Sequence, residues 1–375
     1  MLKQIWMGIN TYLKKADLFL LGTAVLTSLF GLVLIYSATM SYGSSRYILV
    51  QGAAIVLGIV GFIIASLADL RRFPRLWVIL FVFNILFQLS LYFFGTAGDT
   101  GNKSWINYSW MPMAIQPGEI GKIIFIYTFA SHINVLKDKM NHVLSVVQLF
   151  LHFALTVGSV FIISRDLGVA VIYVFIFLVM LYASGINLLW FFATLLGAAA
   201  CAPVLWKFMS ENQRLRIQVV FNPEVSERFA WHGQQSIMAM GNGELFGMGL
   251  GKGTQVQSGM LFSKHADFIF ASCGEELGFV GCAVLLALLT AMVARCFTDS
   301  RKSDNLMGYL MCIGVGAMMM FQILINVGMC LGIMPVIGLT LPFVSYGGSS
   351  ILTFFVSLGF VCGATIDQTP KRLRR

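Results

Sequence analysis

The chain has 375 residues, of which 58% are hydrophobic and only 11% charged, and its mean hydropathy is +0.83. Soluble globular domains carry about 25% charged residues, so the composition excludes a soluble globular protein. Within a membrane, long apolar runs satisfy their backbone polar groups by forming helices, and the strict alternation typical of a membrane β-barrel is absent. We therefore expect an all-α, polytopic membrane protein.

About ten stretches are apolar and long enough to cross the roughly 30 Å of hydrocarbon in a bilayer. In chain order they are residues 18–40, 47–69, 74–95, 117–136, 143–163, 167–184, 187–209, 268–297, 307–331 and 340–364. The sixth stretch is short, and only a tight turn separates it from the seventh. No internal repeat or low-complexity tract divides the chain, so residues 1–375 are treated as one membrane domain.

Lysine and arginine are distributed unequally between the two sides of these spans. Fifteen lie on the side that holds both termini, and three lie in the short loops of the other side. The fifteen are Lys3, Lys14, Lys15, Arg71, Arg72, Arg75, Lys137, Lys139, Arg295, Arg301, Lys302, Lys371, Arg372, Arg374 and Arg375; the three are Arg46, Lys103 and Arg165. The positive-inside rule predicts that the N-terminal segment 1–17 and the basic tail 366–375 are cytoplasmic. The net charge of +9 comes largely from this rim and does not indicate nucleic-acid binding.

One connection, residues 210–266, is much longer and less apolar than the others and is predicted to be extracytoplasmic, between the seventh and eighth spans. Its cations are Arg214, Arg216, Arg228, Lys252 and Lys264, and it contains the glycine-rich stretch GNGELFGMGLGKG. Long connections are usually functional or disordered. The amphipathic pieces LRIQVVF and QQSIMAM favour an ordered cap on the membrane surface. The glycine-rich stretch lacks the spacing of a phosphate-binding P-loop, and no strand precedes it.

Ionisable residues within membrane spans indicate functional sites by default. In QPGEIGK, Glu119 and Lys122 are three residues apart, so they share one helix face and can pair. Either a structural ion pair or a polar patch that lines a cavity fits this pattern. In SRDLG, Arg165 and Asp166 lie at the start of another helix, where an aspartate suits the helix dipole whatever the function.

Two residues of the loop NKSWINYSW add to this polar set. Lys103 supplies a cation and Trp105 an aromatic ring on the extracytoplasmic side. Tryptophan is also an ordinary residue of membrane interfaces, so Trp105 is either a substrate-binding residue or an interfacial residue without a role in the site.

Three carboxylates occur in KHADFIFASCGEELGFVG. Asp267 follows Lys264 and His265 and lies at the predicted outer mouth of the eighth span. Glu275 and Glu276 are roughly 12–13 Å deeper at 1.5 Å per residue. We expect these two to be structural, pairing with a neighbouring helix, and Asp267 to be the chemically active group.

The segment GLTLPFVSYGGSS, which includes Ser345, places Pro, Ser, Tyr and paired glycines at the start of the last span. Non-helical backbone at membrane depth is tolerated only against protein or a wet cavity. The polar residues therefore gather on the extracytoplasmic side. A cavity of this kind suits an anionic amphiphile, because lysine and arginine bind phosphate groups and a carboxylate can take a proton from a hydroxyl.

Together these motifs resemble the SEDS family (shape, elongation, division and sporulation), which includes RodA, FtsW and SpoVE. The similarity runs along nearly the whole chain, through GLVLIYSAT, NKSWINYSWMPMAIQPGEIGK, RDLGVA, AMGNGELFGMGLGKGTQVQ, KHADFIFASCGEELGFVG and MPVIGLTLPFVSYGGSS. The LTLPFVSYGGSS form is closer to FtsW and SpoVE than to RodA. The chain departs from the common family pattern in having QPGE for QPSE and a single cation, Lys103, before the loop tryptophan.

The resemblance implies a peptidoglycan glycosyltransferase of the bacterial cytoplasmic membrane that polymerises lipid II with a cognate class B penicillin-binding protein, within the divisome or elongasome. It also implies that Asp267 is essential and that Glu119 and Lys122 match the family's glutamate and lysine in a supporting role. Asp267 would be the general base. No organic cofactor is expected, and cations or a divalent metal (Mg²⁺ or Mn²⁺) would neutralise the leaving pyrophosphate. The expected substrate-binding residues are Lys103, Trp105, Arg165, Asp166, Arg214, Arg216, Lys264, His265 and Ser345.

Two other functions fit part of the sequence. A lipid II flippase would also use many spans and an intramembrane ion pair, but alternating access places its site at the bilayer midplane, whereas the polar residues here lie on one side. A non-enzymatic scaffold that recruits the transpeptidase would leave Asp267 unexplained.

Overall fold

The computed structural model describes residues 16–68, 76–96, 103–108, 110–111 and 113–366, apart from the side chains of Cys201 and Val204. Across these residues the protein consists of thirteen α-helices joined by short 3₁₀ and π turns, without a β-strand. Two isolated bridges pair Thr96 with Trp105 and Ile106 with Ile115. The predicted all-α fold is confirmed.

The helices are numbered in chain order. They are α1 Leu18–Thr39, α2 Arg46–Leu67, α3 Leu76–Phe94, α4 Pro117–Leu136, α5 Val143–Ser159, α6 Leu167–Ala183, α7 Leu188–Phe208, α8 Glu211–Phe221, α9 Glu227–Asn242, α10 Thr254–Ser258, α11 Ile269–Ser300, α12 Leu306–Cys330 and α13 Gly348–Thr365. Ten of them overlap the ten predicted spans, and α8, α9 and α10 lie in the long connection. The basic segments 1–15, 69–75 and 367–375, which carry much of the predicted cytoplasmic rim, lie outside the described residues.

Among the described residues, seven helices are both long and apolar enough to cross a membrane: α1, α2, α3, α5 with its π turn to Ser164, α11, α12 and α13. Helix α6 and the first part of α7 are apolar but shorter. Helix α4 carries the charged pair Glu119 and Lys122 in its first two turns. The chain is a multi-pass membrane protein.

Residues 210–266 cover one end of the helix bundle, which we call the cap end. Gln213 of α8 donates a hydrogen bond to the Arg165 carbonyl just before α6, and Ser236 of α9 donates to the Cys330 carbonyl at the end of α12. The glycine-rich stretch reaches the last turn of α1, where the Gly251 N–H donates to Ser37 Oγ. The cap therefore consists of ordered helices fixed to α1, α6 and α12.

Helix α12 is the centre of the bundle and packs against α4, α6, α11 and α13. Its glycines permit this contact: a Cβ on Gly314 would lie 2.8 Å from Ile126 and from Met180 Sδ. Small residues that let backbones approach closely are typical of helix pairs in membranes. Helix α12 thus places the residues of its last turns beside the starts of α6, α11 and α13.

Helix α11 is not one straight span. Gly278 has φ +68° and ψ −166°, which breaks the helix. The part after the break, residues 279–300, is 22 residues long and by itself covers about 33 Å, enough to cross the hydrocarbon. The part before it is a separate short helix at the cap end, and it follows directly after Asp267.

The last span also differs from its prediction. Helix α13 begins at Gly348 rather than near residue 340, because the backbone from 331 to 347 forms turns and irregular structure. We call residues 331–347 the α12–α13 loop. The proline, serine and glycines of this segment indicated such a non-helical start, and the loop lies against the residues around Asp267.

Candidate functional site

The loop that carries Asp267 is fixed through its backbone. The Asp267 carbonyl accepts a 2.8 Å hydrogen bond from Asn326 Nδ2 of α12, and the Ala266 carbonyl accepts a 2.7 Å bond from Ser345 Oγ. Ser345, which the sequence suggested as a substrate ligand, is 2% exposed, and its oxygen also accepts from the Leu341 N–H. In this structure Ser345 therefore joins the α12–α13 loop to the Asp267 loop.

The Asp267 carboxylate is half-buried, and two charged groups act on it. Burial raises the pKa of Asp267 from 3.8 to about 6; Arg216 opposes this rise, and Asp166 adds to it. A carboxylate with this pKa is ionised at neutral pH and is basic enough to take part in proton transfer.

Arg216 is the cation of the cap that reaches this site. It lies on α8, and its Nη1 donates a 3.1 Å hydrogen bond to the Val336 carbonyl of the α12–α13 loop. Burial lowers the pKa of Arg216, whereas Asp267 and Asp166 raise it. The guanidinium therefore interacts with both carboxylates while its position is fixed by backbone.

Asp166 is the N-cap of α6. Its Oδ1 accepts from the Val169 N–H at 3.1 Å and its Oδ2 from Gln116 Nε2 at 3.1 Å. Burial raises the pKa of Asp166, and the Val169 N–H lowers it; of the two nearby charges, Glu119 raises it and Lys122 lowers it. Asp166 thus serves as a helix cap and also links the Asp267 site to the charges on α4.

Glu119 and Lys122 form a buried ion pair with 2.7 Å between Oε1 and Nζ. Lys122 is 0% exposed and Glu119 3%. Lys122 Nζ also donates to Gln322 Oε1 of α12 at 3.1 Å, whereas Glu119 Oε2 has no partner among the described residues. The pair is packed inside the bundle, and its two charges act with opposite sign on Asp166.

Three other predicted cations, Arg165, Arg214 and Lys103, form no hydrogen bond or ion pair with Asp267 within the described part of the chain. Arg165 is exposed, with φ +51°, and lies at the mouth of an apolar groove. Arg214 Nη2 donates to the Lys207 carbonyl at the end of α7. Lys103 is exposed and precedes Trp105, whose backbone carbonyl accepts from the Thr96 N–H.

Lys264 is fully buried, and its ammonium is already occupied. Its Nζ donates to Ser41 Oγ at 2.8 Å and to the Val256 carbonyl, and it lies 4.9 Å from the centre of the Tyr42 ring. His265 is half-buried and is surrounded by tyrosine rings. Burial, together with the charge of Lys264, lowers the pKa of His265 to about 4, so its imidazole is neutral.

Glu275 and Glu276 are structural residues that pair with neighbouring helices, as expected, since their partners lie on α10 and α1 together with one N–H of the glycine-rich stretch. Glu275 accepts from Thr254 Oγ1 and from the N–H groups of Gln255 and Val256. Glu276 accepts from Gln257 Nε2, the Gly251 N–H and Ser37 Oγ of α1. Because Ser37 is in the last turn of α1, both carboxylates lie near the cap end and not deep in the membrane.

The glycine-rich stretch also pairs with the break in α11. The N–H groups of Met248 and Gly249 donate to the carbonyls of Glu275 and Glu276. Gly247 has φ +80°, and a Cβ on it would come within 2.2 Å of the Glu276 carbonyl oxygen. Glycine is therefore required there, both for the backbone conformation and for the close approach of the two chains.

An apolar groove of about 630 Å³ lies between α5, α6 and α7. Its sides are apolar, and Arg165, Ser210 and Gln213 lie at its cap end. A pocket of this size is within the range that binds small ligands. Its lining suits a hydrocarbon chain whose polar head lies near Arg165.

Metal ligands are few. The described residues contain no group of three or more His, Cys, Asp or Glu side chains that could hold a metal ion. Mg²⁺ is usually held by one or two carboxylates together with substrate phosphates. The site therefore fits only a cation that the substrate helps to bind.

Three residues at the site were not singled out from the sequence. Asn326 and Gln322 are four residues apart on α12, and these polar amides in an apolar span were the signal that could have found them. Gly338 has φ +72°, and a Cβ on it would lie 3.5 Å from Asp267 Oδ2. That contact depends on the tertiary fold and has no sequence signature.

The family model of FtsW, RodA and SpoVE, described as "Cell cycle protein", matches residues 17–369. The chain belongs to this family. Similar proteins include the probable peptidoglycan glycosyltransferase FtsW of Bacillus subtilis strain 168, at 30% identity over 94% of this chain and 91% of that protein. The peptidoglycan glycosyltransferase MrdB of Escherichia coli K12 is 31% identical over 82% of each chain.

Solved structures of similar fold also exist for this member of the FtsW, RodA and SpoVE family. A chain described under "Structural coordination of polymerization and crosslinking by a peptidoglycan synthase complex" matches with TM-score 0.78 and 26% identity, over 94% of this chain and 99% of that one. RodA of Thermus thermophilus matches in fold with TM-score 0.70 and 24% identity, over 95% and 98%. The family membership and the similarity to FtsW expected from the motifs are confirmed.

Proposed function

We propose that this family member is a peptidoglycan glycosyltransferase that polymerises lipid II, with Asp267 as the general base. The observation that carries the proposal is the environment of the Asp267 carboxylate. It is half-buried at the cap end, interacts with Arg216 and Asp166, and has a pKa of about 6. A general base is most effective when its pKa is near the working pH.

In this reaction the Asp267 carboxylate takes the proton from the sugar 4-hydroxyl of the acceptor lipid II. The hydroxyl oxygen attacks the anomeric carbon of the growing strand and forms the glycosidic bond. The bond to the phosphate oxygen breaks with inversion, and undecaprenyl pyrophosphate leaves with the electron pair. Because this leaving group is already stabilised as an anion, the second carboxylic acid used by many glycosidases is unnecessary.

Arg216 and Arg165 are our candidates for neutralising the charge that develops on the pyrophosphate. Arg216 is held by its bond to the Val336 carbonyl, on the same loop whose Gly338 contacts Asp267, and Arg165 is exposed at the mouth of the groove. Fixed cations aimed at developing charge are among the strongest catalytic effects. A divalent cation such as Mg²⁺ or Mn²⁺ would add positive charge at the phosphates, with Asp166 as a further carboxylate whose charge acts on Asp267.

The apolar groove supports a lipid-linked substrate. It is open between membrane helices α5, α6 and α7 and leads to Arg165 at the cap end. A polyprenyl tail placed there would keep its hydrocarbon in an apolar environment while its pyrophosphate meets the cations.

For this function the cap end must face the outside of the bacterial cytoplasmic membrane, with both termini cytoplasmic. The predicted excess of lysine and arginine at the opposite end supports this orientation. The partners we propose are a class B penicillin-binding protein that crosslinks the strands, and other divisome or elongasome proteins.

The decisive experiment is polymer formation from purified lipid II by the purified protein, with and without a class B penicillin-binding protein and divalent cations. We expect glycan strands to form. Flipping of lipid II measured separately in vesicles, without polymer in any condition, would instead support the flippase. Recruitment of the penicillin-binding protein without either activity would support the scaffold.

A further inference from the structure

Four aromatic side chains from four separate segments meet at the cap end. Tyr42 ends the 3₁₀ turn after α1, Tyr47 lies in the first turn of α2, His265 is on the Asp267 loop, and Tyr346 is on the α12–α13 loop. The His265 ring is 5.0 Å from the Tyr47 ring, 5.5 Å from Tyr346 and 5.8 Å from Tyr42, measured between centroids. Tyr47 also contacts Tyr42 at 5.6 Å and Tyr346 at 5.1 Å. We call these four residues the aromatic platform.

The platform and Asp267 belong to one rigid piece of structure. The Tyr346 N–H donates a 2.9 Å hydrogen bond to the His265 carbonyl, and Ser345 Oγ holds the next carbonyl, that of Ala266. His265 and Asp267 are two residues apart, so their Cα atoms are separated by at most about 7 Å. The platform therefore lies within one sugar residue's length of the backbone that carries Asp267.

The platform can bind a ligand because part of it is open. Tyr42 is 45% exposed, and Tyr47, His265 and Tyr346 are half-buried. None of the three phenol oxygens makes a hydrogen bond within the part of the chain that the structure describes. Isolated interfacial tyrosines usually contact lipid singly, whereas these rings are gathered around one histidine, which points to a built surface.

Its chemistry favours a sugar over a phosphate. The Lys264 ammonium beneath Tyr42 is occupied by Ser41 and by the Val256 carbonyl, and His265 is neutral. The C–H faces of a pyranose carry partial positive charge and pack on the negative faces of aromatic rings. Phenol hydroxyls can both donate to and accept from sugar hydroxyls.

We propose that the aromatic platform binds a hexopyranose of the acceptor substrate and presents its hydroxyl to Asp267. This inference rests on the proposed function, because it assigns the acceptor sugar of that reaction. Arg46, exposed beside Tyr47, lies at the edge of the platform, so a phosphate ligand is the alternative that the experiment must separate.

The test has two readouts, and only one of them requires catalysis. In the first, steady-state polymerisation of lipid II is compared for the wild type, Tyr42→Ala and Tyr47→Ala. We expect KM to rise about fivefold to tenfold with kcat changed less than twofold, because a lost aromatic contact of roughly 1 kcal/mol corresponds to about fivefold. Tyr92→Ala, an exposed tyrosine near the cap end of α3 and outside the platform, is the matched control and should leave KM unchanged.

In the second readout, binding of the free disaccharide of N-acetylglucosamine and N-acetylmuramic acid is measured by ligand-observed NMR, with inorganic pyrophosphate as a second probe. Disaccharide binding that is weakened by Tyr42→Ala and Tyr47→Ala but retained by Tyr42→Phe supports the platform, even if the wild type fails to polymerise. Unchanged disaccharide binding in both alanine variants, or loss of pyrophosphate binding alone, overturns it. Thermal unfolding in detergent checks that each variant is folded.

Discussion

The carboxylate of Asp267 lies directly against Gly338 of the α12–α13 loop. A Cβ built on Gly338 would be 3.5 Å from Asp267 Oδ2, and the glycine itself has φ +72°. Gly338 therefore combines two constraints: a left-handed backbone, which L-residues adopt at a cost of roughly 1–2 kcal/mol, and a position beside the proposed base. The α12–α13 loop forms one wall of the site.

Replacing Gly338 with alanine should reduce polymerisation between about tenfold and a hundredfold, because relaxation of the strained left-handed backbone would move the loop wall that contacts Asp267, and small displacements of a reacting group cost rates of this order. Gly259→Ala is the matched control, since Gly259 has φ +77° and a Cβ there meets nothing within 4 Å. Both variants should lose similar thermal stability in detergent. Equal polymerisation by the two would show that the contact with Asp267 does not matter.

As pH increases, kcat/KM should rise through an apparent pKa of about 6, because Asp267 must be deprotonated to act as a base. Arg216 lowers the pKa of Asp267 and Asp166 raises it. Arg216→Gln should therefore move the acidic limb to higher pH, and Asp166→Asn, which keeps a good N-cap, should move it to lower pH. In Arg214→Gln the limb should stay in place. Shifts of the same sign in the Arg216 and Asp166 variants would contradict the assignment of this limb to Asp267.

Removing the cation of the buried pair on α4 should destabilise the fold strongly. In Lys122→Met the Glu119 carboxylate stays buried without its partner, and breaking such a pair costs about 3–5 kcal/mol. The double variant Glu119→Gln, Lys122→Met leaves no buried charge and should be more stable than Lys122→Met alone. Thermal unfolding of the two variants in detergent measures this difference, and a double variant that is less stable would refute the ion-pair account.

Filling the apolar groove should impair use of a long lipid tail. Gly158 lines the groove, and a Cβ on it meets nothing within 4 Å, so Gly158→Phe can extend into the open space. Compared with the wild type, we expect Gly158→Phe to raise KM more for lipid II with its undecaprenyl chain than for a short-chain analogue. Gly22→Phe, at an exposed glycine of α1 with similar open space, is the control. An equal effect on both substrates would argue against the groove as the site of the tail.

Apolar length predicted the helices well because hydrophobicity and span length are properties of local sequence. Apolar length did not predict the break at Gly278. The glycines of GEELGFVG are compatible with a continuous helix, and the break is evident only from the contact of Gly278 with the glycine-rich stretch at Gly247. The consequence is chemical as well as geometric. Counting along a straight helix places Glu275 and Glu276 deep in the membrane, whereas in the structure they lie near the cap end and bind α10, α1 and the Gly251 N–H.

The site was predicted in part. Asp267, Asp166 and Arg216 act on one another electrostatically, and all three were expected from the sequence. From the sequence, Arg214 and Arg216 were equally good candidates for binding the pyrophosphate. Nothing in the sequence pattern indicates that Arg216 interacts with the carboxylates whereas Arg214 donates to the Lys207 carbonyl. That distinction follows from the orientation of α8 against the α12–α13 loop.

The role of Asp267 is tested most directly by the conversion of purified lipid II into glycan strands by the wild type and by Asp267→Asn, in detergent and with a class B penicillin-binding protein. Asparagine keeps the size of the side chain, but its amide cannot act as a general base. We predict strands from the wild type and none from the variant, with unchanged thermal unfolding and partner binding. Polymerisation by Asp267→Asn at the wild-type rate would contradict the assignment of Asp267 as the general base.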